Sequence, residues 1–326
     1  MTKPDPTPVQ KGHIAVGLTR DSRKPVKLYY EKTGNGPKKL LLVMGLNSPG
    51  SAWEAVVGAL AFSRLQHVEF MFMRFAVENF AKRSEYTTVF FDNRGVGLSD
   101  APKGVYSTAQ MAQDTLELLD ALGWKSDVHV AGVSMGGMIS LELVLADSKR
   151  FSSLVLTSTN AGRSPPQLVT VSFLSRVILI KDPVARMKLI SETLFPVPWL
   201  EKSAPKDSEF ATNREMVVDS LTRRFKNTPL QPLHGNIAQS YAALFHHVSS
   251  ERLAQIRDSG LPVLVMTGTV DNFVRPSGSY HLQKELGCKM VVFEGSGHAL
   301  PTEQTETYCR FVDELATKGN DGIFDL

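Results

Sequence analysis

Short apolar runs alternate with longer segments of helical spacing along most of the chain. The apolar runs predict eight strands, at residues 14–18, 26–31, 39–44, 87–92, 128–133, 153–157, 263–267 and 289–294. Between the fourth and fifth runs, residues 109–123 have the spacing of an amphipathic helix, with Ser107 as its N-cap and Gly123 as its stop. This alternation predicts an α/β fold built on a doubly wound, mostly parallel eight-stranded sheet.

The alternation of strands and helices breaks between residues 160 and 247. This interval is rich in helix formers and prolines, and we expect it to form a helical cap between two parts of the core, residues 13–159 and 248–318. Residues 1–12 contain proline and charge where a signal peptide needs an apolar core, which predicts a flexible leader. We expect the tail, residues 319–326, to be loosely ordered.

Composition narrows the class of protein. The 326 residues are 42% hydrophobic and 21% charged, enough for one large core with an inserted subdomain. A net charge of +3 without a long basic run argues against nucleic-acid binding. The two cysteines, Cys288 and Cys309, are too few for a disulfide framework, which favours a reducing, cytoplasmic location. The apolar stretch 168–180 is too short to span a bilayer and contains Arg176, so membrane contact is disfavoured.

A serine stands where the fifth predicted strand meets the next helix. Glycines lie two residues before and after Ser134, at Gly132 and Gly136, where a side chain would collide with the neighbouring strand and helix. Such a nucleophile elbow projects Ser134 outward and directs the Met135 N–H towards a developing oxyanion. The five-residue motif is short, so an ordinary strand-to-helix turn is the alternative, and its context must decide.

Two loops further along the chain contain a carboxylate and an imidazole. Asp271 follows the seventh strand, at the sheet edge where ligands bind in open α/β folds; an ordinary turn aspartate is the alternative. Asp258 precedes the same strand and is expected at its opposite end. His298 follows the eighth strand in a glycine-rich loop. A neutral His298 can accept the Ser134 proton while Asp271 orients the imidazole, which predicts a catalytic triad.

Together these segments resemble the α/β-hydrolase superfamily, in its branch of small serine esterases, lactonases and cofactor-free haloperoxidases. The resemblance spans most of the chain and includes residues 40–47, as the third strand and its loop, and residues 89–100, as the fourth strand and its turn. It implies that Leu46 supplies a second oxyanion-hole N–H, with Asn47 as the weaker alternative. It also implies that the turn from Asp92 to Ser99 is structural.

Two departures from the family pattern stand out. Met44-Gly45 occupies the place where many relatives have His-Gly, so a loop-ordering hydrogen bond from that histidine is absent. Residues 57–76 form a Phe- and Met-rich segment that looks inserted into the family core. An atypical insertion, such as a translated intron, and a longer amphipathic helix packed on the cap both explain this segment.

The motif and the resemblance predict a serine hydrolase that cleaves a carboxylic ester or lactone through an acyl-enzyme, with no metal or organic cofactor. We expect a small-molecule ester or lactone as its partner. Candidate substrate-binding residues near the triad are Asn47, Trp53, Phe273, Val274 and Ala299. Carbon–carbon bond hydrolysis, acyl transfer, perhydrolysis and ligand binding without turnover remain open as alternatives on the same scaffold.

Overall fold

The computed structural model describes most of the chain, namely residues 9–18, 25–53, 85–162, 173, 176–177, 179–205, 208–322 and 324–326. The segment 57–76, which we interpret as inserted, lies outside these described residues. Most of the apolar stretch 168–180 also lies outside them.

A single sheet of eight strands forms the centre of the fold. The strands are β1 Val9–Val16, β2 Val26–Thr33, β3 Lys38–Val43, β4 Tyr86–Phe91, β5 Val128–Val133, β6 Phe151–Thr157, β7 Val263–Gly268 and β8 Lys289–Phe293. Their order across the sheet is β1-β2-β4-β3-β5-β6-β7-β8. Strand β2 runs antiparallel to β1 and β4, and the remaining pairs are parallel. The predicted fold class is confirmed.

Helices pack on both faces of this sheet. Within the described part of the chain they are α1 Thr108–Ala121, α2 Met135–Ala146, α3 Pro183–Leu194, α4 Val197–Leu200, α5 Asn213–Asn227, α6 Leu233–Leu244, α7 Ser250–Asp258, α8 Pro276–Leu286, α9 Leu300–Glu303 and α10 Thr305–Lys318. Helices α3 to α6 fall within the interval that predicts a cap, and we refer to them as the cap helices. They separate β6 from the helix that precedes β7.

The alternation of side chains along β3 divides the core into two layers. Leu41 and Val43 are buried with residues of α1 and α2, whereas Leu40 and Leu42 are buried with residues of α10. Because successive strand residues point to opposite faces, one apolar strand contributes to both layers. Each fully buried leucine stabilises the fold by about 1.5–3 kcal/mol, so the apolar runs that predict the strands also hold the sheet between its helices.

The first predicted helix is confirmed, with its signals. The Ser107 side chain accepts a hydrogen bond from the Gln110 N–H and caps α1. Gly123 has φ +73°, a left-handed conformation that suits glycine at a helix end.

Both ends of the chain are more ordered than expected where the structure describes them. Strand β1 begins at Val9, and residues 9–12 pair with β2, so these residues belong to the sheet and not to a flexible leader. In the tail, the Phe324 ring packs 5.8 Å from the Phe311 ring, and Arg310 donates to the Asp325 carbonyl at 2.6 Å. Burial of an aromatic ring explains why this tail is not loose.

Candidate active site

Ser134 lies on a strained turn at the carboxyl end of β5. Its φ is +56° and its ψ is −124°, a conformation that few residues other than glycine adopt. The neighbouring backbone holds it there: the Ser134 N–H donates to the Thr157 carbonyl at 2.9 Å, and the Ser134 carbonyl accepts from Thr159 Oγ1 at 2.7 Å. Ser134 is partly exposed, while the residues on either side of it are buried. The turn therefore presents one hydroxyl at the sheet edge.

The close approach of α2 to β5 requires glycine at position 132. A Cβ on Gly132 would lie 2.4 Å from the Gly136 carbonyl oxygen and 2.5 Å from Ser140 Oγ. Those distances are far below van der Waals contact, so only glycine lets α2 start so close to β5. The physical reason for this half of the motif is thus present in the structure.

Asp271 and His298 meet at the same edge of the sheet. The His298 Nδ1 atom lies 2.8 Å from Asp271 Oδ2, although 27 residues separate the two in sequence. The Asp271 side chain is fully buried, and its Oδ1 also accepts the N–H groups of Phe273 and Val274 at 2.8 and 2.9 Å. A carboxylate with three donors is fixed in orientation, and it can hold the His298 ring with Nε2 free to act.

The serine and the imidazole do not share a hydrogen bond in this structure. Among the described residues, the His298 ring hydrogen-bonds to Asp271 alone. Catalytic contacts of this kind are often long without substrate, so the arrangement remains compatible with proton transfer from Ser134. The contact between Ser134 and His298 stays a prediction.

The cap supports the loop that carries His298. The Leu194 carbonyl, at the end of α3, accepts the His298 N–H at 3.0 Å and the Ala299 N–H at 3.3 Å. The Phe273 ring lies 5.1 Å from the His298 ring, centroid to centroid. These contacts constrain the imidazole from the cap side as well as from the sheet.

Glu303 is a partly buried group near the site that the sequence motifs do not reveal. Both of its carboxylate oxygens accept the Gly297 N–H, at 2.9 and 3.1 Å, in the loop that leads to His298. Burial raises the pKa of Glu303 to about 8, the Gly297 N–H opposes that shift, and the nearby Asp271 adds to it. No sequence motif marks Glu303, which is the last residue of the short helix α9.

The loop after β3 approaches the elbow closely. A Cβ on Gly45 would lie 3.0 Å from the Ser134 Cβ. The Asn47 N–H is already used, because it donates to Gln239 Oε1 at 2.9 Å. No described residue accepts the N–H of Leu46 or of Met135. These two groups are the available donors for an oxyanion beside Ser134, and Asn47 is excluded as a donor in this conformation.

Three of the candidate pocket residues lie next to Asp271 or His298. Phe273 and Ala299 lie beside His298: the Phe273 ring contacts that imidazole, and Ala299 packs against the cap cluster that contains Phe195. Val274 is partly buried and donates its N–H to Asp271.

Trp53 is not a pocket residue, contrary to the prediction. It is 1% exposed, and its ring packs 6.3 Å from the Tyr308 ring in the core layer beneath α10. The short helical turn Gly50–Ala52 explains this position, because the Gly50 N–H is bound to Asp92 Oδ1 at 2.6 Å and directs the next residues into the core.

Asp92 organises the turn after β4. Its carboxylate accepts the N–H groups of Gly50 and Leu98, at 2.6 and 2.7 Å, and Ser99 Oγ donates to its carbonyl at 2.6 Å. Burial raises the pKa of Asp92 to about 6, and the two N–H donors oppose that shift. Asp92 is 2% exposed and its carboxylate binds backbone N–H groups of the protein, which supports a structural role for the turn.

The remaining polar groups in the described part of the chain form no metal site. Within the described ranges, no three His, Cys, Asp or Glu side chains cluster in a way that could hold a metal ion. His129 is buried with Nδ1 2.9 Å from Ser153 Oγ, and burial lowers its pKa to about 4. Two surface cavities of about 430 and 440 Å³ lie away from Ser134 and His298. None of the described helices has both the length and the apolar character needed to cross a bilayer.

Comparison with known proteins agrees with this architecture. Residues 66–304 match the model of the α/β-hydrolase fold family, and the chain belongs to that family. The match contains Ser134, Asp271 and His298 but begins after the loop that follows β3.

Relatives and solved structures are similar to the chain at low identity. The protein described as carbamate hydrolase RutD of Azorhizobium caulinodans is 28% identical over 176 residues, 54% of this chain and 57% of that protein. The 3-oxoadipate enol-lactonase 1 of Acinetobacter baylyi is 22% identical over 84% of this chain and 88% of its own length. A thermophilic esterase from Thermogutta terrifontis superposes with a TM-score of 0.69 at 20% identity, over 95% of this chain and 99% of that one.

Proposed function

We propose that this protein is a serine hydrolase that cleaves a carboxylic ester or lactone through an acyl-enzyme. The observation that carries the proposal is the hydrogen bond between His298 and Asp271 at the sheet edge on which the strained turn presents Ser134. A chain that needed only a fold would not have to orient an imidazole with a buried carboxylate beside a projecting hydroxyl.

In this mechanism, Ser134 Oγ attacks the carbonyl carbon and His298 takes the Ser134 proton. Asp271 stabilises the imidazolium and keeps Nδ1 as the donor towards itself. The N–H groups of Leu46 and Met135 bind the oxyanion, which develops beside the N-terminus of α2. His298 then returns the proton to the leaving alcohol, and water enters by the same steps in reverse to release the acid.

An activity-based probe tests the proposal most directly. A fluorophosphonate should label the wild type, and Ser134→Ala should abolish that labelling and lower p-nitrophenyl acetate turnover by at least about a thousandfold. Ser126→Ala removes an exposed serine outside the site and should behave as the wild type. Equal labelling of the wild type and Ser134→Ala, or no labelling of either, would contradict the proposal.

Carbamate cleavage is the second candidate, and the resemblance to the carbamate hydrolase supports it. The same acyl transfer machinery would then act on a carbonyl that bears nitrogen. A matched panel of an aryl acetate, an aryl carbamate and a six-membered lactone separates the candidates by kcat/KM. Ester and lactone turnover above carbamate turnover supports the first candidate, and the reverse order supports the second.

A further inference from the structure

The loop after β3 is held at both ends by side chains outside it. Asn93 Nδ2 donates to the Met44 carbonyl at 3.0 Å, and Gln239 Oε1 accepts the Asn47 N–H at 2.9 Å. Asn47 has φ +55°, a conformation that needs such support in a residue other than glycine. Leu46, whose N–H we assign to the oxyanion hole, lies between these two anchors.

Gln239 is suited to this task by its own surroundings. It is 0% exposed and comes from the cap helix α6. Its Nε2 donates to the Arg94 carbonyl at 2.7 Å. The Gln239 amide therefore faces an acceptor, the Arg94 carbonyl, on one side and a donor, the Asn47 N–H, on the other. The reversed orientation would place N–H against N–H and carbonyl against carbonyl, which fixes Oε1 towards Asn47.

Two further contacts hold the start of α6 and the residues before it against the loops after β3 and β4. Gln231 Nε2 lies 3.0 Å from both Asn47 Oδ1 and the Gly95 carbonyl. A Cβ on Gly235 would lie 2.5 Å from that same carbonyl, so glycine permits the helix to approach. The cap therefore contacts the turn after β4 through Gly235 and the oxyanion loop through Gln231 and Gln239.

We infer that Gln239 is a positioning residue for the oxyanion hole. By occupying the Asn47 N–H, it fixes the peptide that follows Leu46 and aims the Leu46 N–H at the reacting carbonyl. The Met44 side chain has no hydrogen-bond donor. The loop is therefore held by Asn93 at one end and, from the cap, by Gln239 at the other. The inference rests on the proposed function, because it needs an oxyanion to stabilise.

Gln239→Met tests the role by removing both hydrogen bonds at nearly constant volume. We expect kcat for p-nitrophenyl acetate to fall by about ten- to a hundredfold with KM within about threefold, since a displaced donor weakens transition-state binding alone. The inhibition constant of a methyl trifluoromethyl ketone, which forms a tetrahedral adduct, should rise by a similar factor. His234→Phe is the matched control, because it removes a bond of 2.8 Å from α6 to the Ala101 carbonyl, away from the loop.

Gln239→Glu keeps the test decisive if the methionine variant does not fold. A protonated glutamic acid reproduces both hydrogen bonds, whereas a carboxylate faces the Arg94 carbonyl unfavourably. Relative to the wild type, this variant should lose more turnover at pH 8 than at pH 5.5.

The outcomes separate the two proposals. Wild-type kcat in Gln239→Met, a loss equal to that of His234→Phe, or a pH-independent ratio for Gln239→Glu would overturn the role of Gln239. If Ser134→Ala also retained activity, the proposed function itself would fail.

Discussion

Gly136 and Val43 lie so close that a Cβ on Gly136 would stand 2.1 Å from the Val43 carbonyl oxygen. Gly136 is the second residue of the helix after the nucleophile turn, and Val43 ends the strand that leads into the oxyanion loop. The contact therefore sets the spacing between the two N–H groups that we assign to the oxyanion hole.

Gly136→Ala should damage both stability and turnover. The added methyl group must push β3 away from α2, which costs about 1–3 kcal/mol and separates the oxyanion donors. We expect a melting temperature several degrees lower and a loss of kcat of at least a hundredfold. Gly12→Ala is the control, because its Cβ would meet Tyr30 at an ordinary 3.9 Å. Similar values for both variants would contradict this account.

Asp271→Asn should retain the fold and lose the chemistry. The amide oxygen can still accept the Phe273 and Val274 N–H groups, whereas the amide nitrogen faces His298 Nδ1 and favours the wrong tautomer. We expect kcat for p-nitrophenyl acetate to fall by about 10⁴-fold with an unchanged circular dichroism spectrum. Asp258→Asn, at the opposite end of β7, should keep full activity. An active Asp271→Asn enzyme would exclude the assigned role of this carboxylate.

Glu303 should make stability depend on pH. Its pKa is raised from 4.5 to about 8, so the folded state retains a proton that the unfolded state has lost between those values. Unfolding then releases a proton, and the free energy of unfolding contributed by Glu303 falls as pH rises from about 4.5 to 8.

Glu303→Gln removes this proton release. Urea unfolding at pH 5 and pH 8 should show the variant gaining stability relative to the wild type as the pH rises. Glu306→Gln, which removes one exposed carboxylate from α10, controls for the loss of charge. Stability curves for Glu303→Gln and the wild type that stay parallel would refute the assignment.

The buried ion pair between Arg94 and Asp114 should show strong coupling. Both side chains are 2% exposed, and Arg94 Nη2 lies 2.8 Å from Asp114 Oδ1. Arg94→Met leaves the carboxylate buried without this partner and should cost about 3–5 kcal/mol, while Arg94→Met with Asp114→Leu should cost less than the two single changes added. Urea unfolding of the four proteins measures the coupling. Strict additivity would argue against it.

The sheet could be predicted from sequence because its signals are local. The runs of β4, β5 and β7 are buried at every position, and such runs predict strands wherever helices cover both sides of a parallel sheet. Residues 9–12 have no comparable run, and their strand exists because β2 offers an edge for pairing. Strand formation by residues 9–12 therefore depends on pairing with residues about 20 positions away in sequence.

In the candidate site, too, the features with local sequence signals could be predicted and those that depend on distant contacts could not. Ser134, Asp271 and His298 follow strands that end at one sheet edge, so their neighbourhood can be predicted. The prediction for Trp53 was wrong because a hydrogen bond from the Gly50 N–H to Asp92, 42 residues away, directs Trp53 into the core. Gln239 and Glu303 form hydrogen bonds that no sequence motif indicates, and only the folded arrangement reveals them.

The hydrogen bonds that Leu194 and Gln239 accept from the two active-site loops also affect how new substrate ranges could arise in this scaffold. A cap taken from a relative would need a carbonyl that accepts the N–H groups of the His298 loop. It would also need an amide that accepts the Asn47 N–H, whatever the shape of its pocket. Grafts chosen by pocket shape alone should bind their ligands and turn them over poorly. Selection for altered specificity should therefore favour substitutions that preserve the hydrogen bonds of Leu194 and Gln239.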